Sequence, residues 1–235
     1  MLSERTFFAT SIAGFPQFIR HLSYIPIFKS ENAMNQTLIT ESTAQEELSL
    51  AMRLKLQTAD EHGRMHVLMA KADVFSSIEK YALFTLSQYY FQLEIEHLFQ
   101  QDQVASHITD LDIRGRSAQA LLDLQDLGIQ PQGQTLESLN VRFPAALGWI
   151  YVSEGSTLGA AFLFKQAQQR LGLSAENGAR NLAAYPEGRA KVWKRFVHDL
   201  DQTQLSPSEK DEVIQGALDA FKYFGNALSH LEQLK

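Results

Sequence analysis

FPAALGWIYVSEGSTLGAAFLF, residues 143–164, carries a single charge, Glu154, and everything else in the chain is read outward from it. Its glycines, Gly148, Gly155 and Gly159, recur at intervals of seven and four, which places them on one face of a helix. Glycine in a helix interior costs about 1 kcal/mol against alanine, so glycines one turn apart imply that something flat or bulky comes close to bare backbone. A membrane span with a small-residue dimer face is rejected. Glu154 would lie near the midplane at a cost of about 2.5 to 3.5 kcal/mol, with Ser153, Ser156 and Thr157 beside it. Taken alone, the segment reads as a buried helix packed on its neighbours.

The 235 residues, 45% of them apolar, suffice for one well-cored domain of about 200 residues and a tail. With 13 glycines, 6 prolines and no persistent strand-like alternation, the expected fold is all-α. A net charge of −6 argues against unspecific nucleic-acid binding, which needs clustered cations. The absence of cysteine excludes disulfides, thiolate zinc sites and iron–sulfur clusters, so a transition metal would be held by His and carboxylate. A reducing cytoplasm is the compatible compartment.

Residues 1–33 differ from the rest, with broken apolar periodicity and two prolines and without a small-residue cleavage site. Residues 1–41 are therefore expected to be an extension outside the fold, disordered or beginning at an upstream start codon before Met34. Residues 42–235 are expected to form the domain.

A capping box, Thr43-x-x-Glu46, opens a helix expected to reach about Ala70. Its predicted buried stripe runs Leu48, Ala51, Met52, Lys55, Ala59, His62, Met65, His66, Met69. Lys55 and His62 lie two turns apart on it, about 10.5 Å along the axis, a spacing that suits a ligand with a metal centre and an acidic edge. Taken singly, His62 reads as a satisfied core histidine before a ligand, and Lys55 as a snorkelling rim residue. His66, one turn on, permits a two-histidine metal site that lacks an evident third ligand.

Ser76-x-x-Glu79 predicts a second, aromatic helix to about Gln100. Within it Glu94-x-x-His97 matches half of a di-iron carboxylate pattern; with no second copy, both are read as helix-surface residues. Helices follow near 103–109 and 116–127, the latter stopped by Gly128, and the central helix is stopped by Gly172. Residues 174–196 read as a loop-rich region whose Arg180, Arg189, Lys191, Lys194 and Arg195 are mostly solvated surface. Ser206-Pro207-Ser208-Glu209 starts a last helix to about Leu231.

Two segments resemble the haem oxygenases of the iron-scavenging type found in Gram-negative bacteria. LKLQTADEH, residues 54–62, is similar to the family's proximal-helix motif. LGWIYVSEGSTLGAAFLFKQAQ, residues 147–168, resembles its distal helix, and ENGARNLAAYPEGRAKVW, residues 176–193, the segment that follows. The resemblance implies a helical bundle with haem b, substrate and cofactor at once, sandwiched between His62 as iron ligand and a distal helix bare at Gly155 and Gly159. It implies O2-dependent opening of the ring to biliverdin, CO and ferrous iron, fed by a reductase, ferredoxin or flavodoxin, in a cytoplasmic monomer that acquires iron. Carried over by position, Lys55 and Tyr151 hold the acidic edge in the orientation that gives the alpha isomer. Gln88, Gln92 and Arg116 join Ser156 in a distal water network. Phe221 and Tyr223 on the last helix complete the haem contacts, Phe224 standing where close relatives carry a tyrosine. His66 stands where relatives carry an acid, and no aspartate occurs in SEGSTLG, which leaves proton delivery to Ser156 and water. A non-catalytic haem carrier on the same fold and a di-iron oxidase are the alternatives.

Overall fold

The structure, a computed structural model, describes residues 48–234; the expected extension over 1–41 and the capping box at Thr43 and Glu46 lie outside the described residues. Ser49 caps α1 (Leu50–Gln57), its hydroxyl accepting from the Met52 amide at 3.4 Å. α2 (Ala59–Ala72) follows after Thr58 alone. The single helix expected here is thus interrupted, because the Thr58 hydroxyl donates back to the Leu54 carbonyl at 2.8 Å, a side-chain bond that bends helices. The predicted stripe is also rotated by about one residue. Leu50, Arg53, Leu54 and Thr58 are buried, whereas Met52, Lys55, Ala59, His62 and His66 are exposed.

Ser77, not Ser76, caps α3 (Ile78–Leu98), accepting from the Lys80 amide at 3.3 Å while Ser76 donates to the Asp73 carbonyl. Short helices α4 (Asp102–His107) and α5 (Leu111–Arg114) lead to α6 (Ser117–Asp126). The central helix α7 (Ala145–Leu171) ends at Gly172, whose φ of 70° is open to glycine at little cost. The region expected to be loop-rich contains a further helix, α8 (Arg189–Gln202). Its buried positions are Val192, Phe196 and Leu200, one per turn, and the basic residues between them masked the period. Last comes α9 (Pro207–Ser229), opened by a complete capping box between Ser206 and Glu209. Among the described residues there is no strand, and no helix is long and apolar enough to cross a membrane.

α9 is the shared support. It packs along α7 and against α2, so these two helices are joined through it. At the α7 crossing a methyl group on Gly148 would collide with the Val213 carbonyl oxygen and the Ala217 amide nitrogen, and one on Gly216 with the Ala145 carbonyl. The two backbones touch, which only glycine allows. At the α2 crossing a methyl on Gly225 would lie 2.6 Å from the Arg64 guanidinium and 2.8 Å from the end of Met65. Leu54, Phe91, Ile95, Trp149, Ile150, Phe196, Ala217 and Phe221 fill the main core. A second cluster links α2 to the far half of α7 through Met65, Leu68, Ala160, Phe164 and Leu228.

Candidate active site

The three glycines of α7 have separate fates. Gly148 belongs to the helix crossing. At Gly155 a methyl would meet only the Trp193 ring of α8, at 3.7 Å, and at Gly159 it would meet nothing within 4 Å. Of the three, only Gly159 is bare; Gly155 lies against the Trp193 ring.

On α2, His62 stands on the open side. Its ring meets His66 at 4.7 Å between centroids and lies 6.5 Å from Phe221 of α9. Partial burial, then the neighbouring His66, lower its pKa, so the imidazole is neutral and able to bind a metal at neutral pH. Lys55, on α1, is exposed, with no ion-pair partner among the described residues. Tyr151 leans on Trp193 at 5.4 Å, and burial pushes its phenol up to about 12. Phe221 flanks His62 but Tyr223 does not: two residues along α9 turn a side chain about 200°. Tyr223 stacks on Phe91 and takes a hydrogen bond from Gln134 at 3.4 Å.

Gln92 and Arg116 converge, on the side of α7 opposite its glycine face. Gln92 donates to the Ser153 hydroxyl at 3.3 Å, as does Arg116, and Ser153 lies about 160° around the helix from Gly155. Gln88 accepts from Asn181 at 3.2 Å. Ser156 joins the two sides: it is exposed, and its hydroxyl donates to the Ser153 carbonyl at 2.6 Å. The Gln92 and Asn181 carbonyl oxygens are buried without a partner among the described residues, the situation that ordered water ordinarily relieves.

Behind this lies a cluster that sequence reasoning missed. Glu154 accepts from Arg114 at 2.6 Å and from the Tyr185 hydroxyl at 2.8 Å, and Arg116 donates to that hydroxyl at 3.2 Å. Tyr185 takes a φ of 62°, uncommon outside glycine, to reach it. A lone acid in an apolar helix signalled a buried partner, but nothing local said which one. Glu94 is corrected likewise: it is fully buried, accepting from the amides of Glu137 and Ser138 at 3.0 and 2.8 Å. No group of three or more His, Asp or Glu capable of holding a metal occurs among the described residues. An iron that brings its own macrocycle needs only one imidazole from the protein, and His62 is exposed.

An exposed imidazole on one helix and an unobstructed glycine on another are features that suit a flat, metal-centred ligand. The Heme oxygenase family model matches residues 48–230. The chain is 42% identical over 194 residues to the heme oxygenase PigA of Pseudomonas aeruginosa, covering 82% of this chain and 96% of that one. Its structure matches the NO- and CO-bound heme oxygenase of Neisseria meningitidis with a TM-score of 0.74 at 37% identity, over 80% of this chain and 94% of that chain. A match to the heme oxygenase of Leptospira interrogans, TM-score 0.57 at 17% identity over 77% of this chain and 99% of that one, shows the shared fold. The chain belongs to the haem oxygenase family, oxidoreductases that cleave haem to biliverdin.

Proposed function

We propose that this chain opens haem at the alpha position, using His62 as the only protein ligand to iron, in the service of iron acquisition. The observation that carries the reading is the pairing of a neutral, accessible His62 on α2 with the Gly159 turn on α7, where added bulk would meet empty space. Bound haem supplies both the iron that activates O2 and the ring that is cleaved, with electrons from an external reductase, ferredoxin or flavodoxin. The protein's part is steric and electrostatic. His62, a neutral nitrogen donor, does not drive O–O cleavage as a thiolate does. Gly159, where an added methyl meets nothing within 4 Å, would leave room for ring and O2 against backbone, and Gly155, with only the Trp193 ring near it, would add to that room. Lys55 pairs with one propionate and Tyr151 meets the other acidic edge, which fixes the meso carbon presented to O2. Ser156 is the polar group at the open side. Its own proton is held by the Ser153 carbonyl, so its lone pairs are left to accept from ordered water, while Gln92 and Arg116 hold the Ser153 hydroxyl on the other side of the helix.

Work as a monomer in the cytoplasm is part of the same proposal. The test is a single turnover of purified protein loaded with haem, given reductant and O2. Loss of the Soret band with appearance of an alpha-biliverdin spectrum is expected. Haem left intact would make the protein a haem carrier on this fold and overturn the reading.

A further inference from the structure

His62 has a second possible use that involves no macrocycle. His62 and His66 are separated by four residues, the spacing at which two imidazoles on one helix face bind zinc in H-E-x-x-H sequences. Both side chains are exposed, and their centroids stand 4.7 Å apart. Two imidazoles sharing one ion at about 2.0 to 2.1 Å, with an angle near 100° at the ion, have centroids roughly 5 Å apart. The pair therefore sits at chelating distance without a backbone shift. The residue after His62 is Gly63, where the zinc hydrolases carry their general base, so the arrangement is suited to binding and not to hydrolysis.

We infer that in the haem-free protein His62 and His66 together chelate one divalent transition-metal ion, copper(II) ahead of zinc(II), and that haem and this ion exclude one another because both need His62. The metal preference follows the general affinity order of nitrogen sites. Among the described residues no third His, Asp or Glu joins the pair, so water completes the coordination and the ion stays exchangeable. The exclusion rests on the haem reading above; the chelate does not.

Untagged haem-free protein is titrated with copper(II) and with zinc(II) by calorimetry, alongside His62→Ala, His66→Ala and His66→Gln. One equivalent binds the unaltered chain, copper the more tightly, and each substitution abolishes it with helix content unchanged by circular dichroism. Binding that survives in the single variants overturns the chelate. Haem is then added to the zinc-loaded protein in the presence of a chromogenic zinc indicator. Release of one equivalent as the Soret band grows is expected. Zinc retained beside bound haem overturns the exclusion, and His62→Ala taking up haem with an unaltered Soret band would show instead that the haem reading had failed.

Discussion

The Arg114 guanidinium meets the Glu154 carboxylate at 2.6 Å with both side chains shut away from water, 0% and 1% exposed. Forty residues separate the two, and the pair anchors the short helix α5 to the middle of α7, at the turn that precedes Gly155. Removing one partner strands a buried charge. Arg114→Met alone is expected to cost about 3 to 5 kcal/mol, read as a lower urea midpoint. Arg114→Met combined with Glu154→Leu is expected to cost clearly less than the sum of the single changes; full additivity would mean the two charges do not depend on each other.

Gly148 and Gly159 should respond in opposite directions to the same methyl group. Gly148→Ala drives a side chain into the backbone of α9 and is expected to destabilise by about 1 to 3 kcal/mol or more. Gly159→Ala meets open space, so the haem-free protein gains up to about 1 kcal/mol of helix stability, seen as a rise in melting temperature. The same change crowds the distal side, so turnover should fall, and Gly159→Leu should block O2 binding. A Gly159→Ala protein both more stable and fully active would remove the bare turn from the mechanism.

Lys55 and Tyr151 lie on separate helices, and on the proposed reading they seat the ring together. Replacing both, as Lys55→Ala with Tyr151→Phe, is expected to spread the product over several biliverdin isomers while His62 still takes iron. Chromatography of the extracted bilins decides it, and an unchanged alpha product would mean that other contacts orient the haem.

Glu187 offers a pH signature away from the site. Hydrogen bonds from Arg195, then Lys191, hold its carboxyl down at about 2, against an ordinary value of 4.5. Its folded pKa is the lower one, so its stabilisation is complete above about pH 4.5 and is lost as pH falls through about 2. In Glu187→Gln the fall of the urea midpoint between those values should be shallower, and the difference should shrink in high salt because the group faces solvent. An identical acid limb in the two proteins would show the pairing to be without consequence.

Much of the molecule follows from local rules. Ser206 and Glu209 form their capping box because both partners lie within one turn, and Gly172 ends α7 because its left-handed backbone suits no neighbouring residue type as well. Where the reading went astray, a long-range contact was responsible. Met52, Lys55 and His62 are open because α8 and α9 cover the adjoining face of α1 and α2. Glu94 is buried because residues 137 and 138 fold over it.

The sequence by itself determined the all-α class, most helix ends and the pair of motifs that mark the family, since these depend on groups a few residues apart. Only the tertiary structure decided that Gly148 serves a helix crossing while Gly159 stays bare, that Glu154 pairs with Arg114, and that Tyr223 turns from His62. Those outcomes depend on which surfaces meet when the helices pack, and the helical period that sets each face carries no information about the partner it will find.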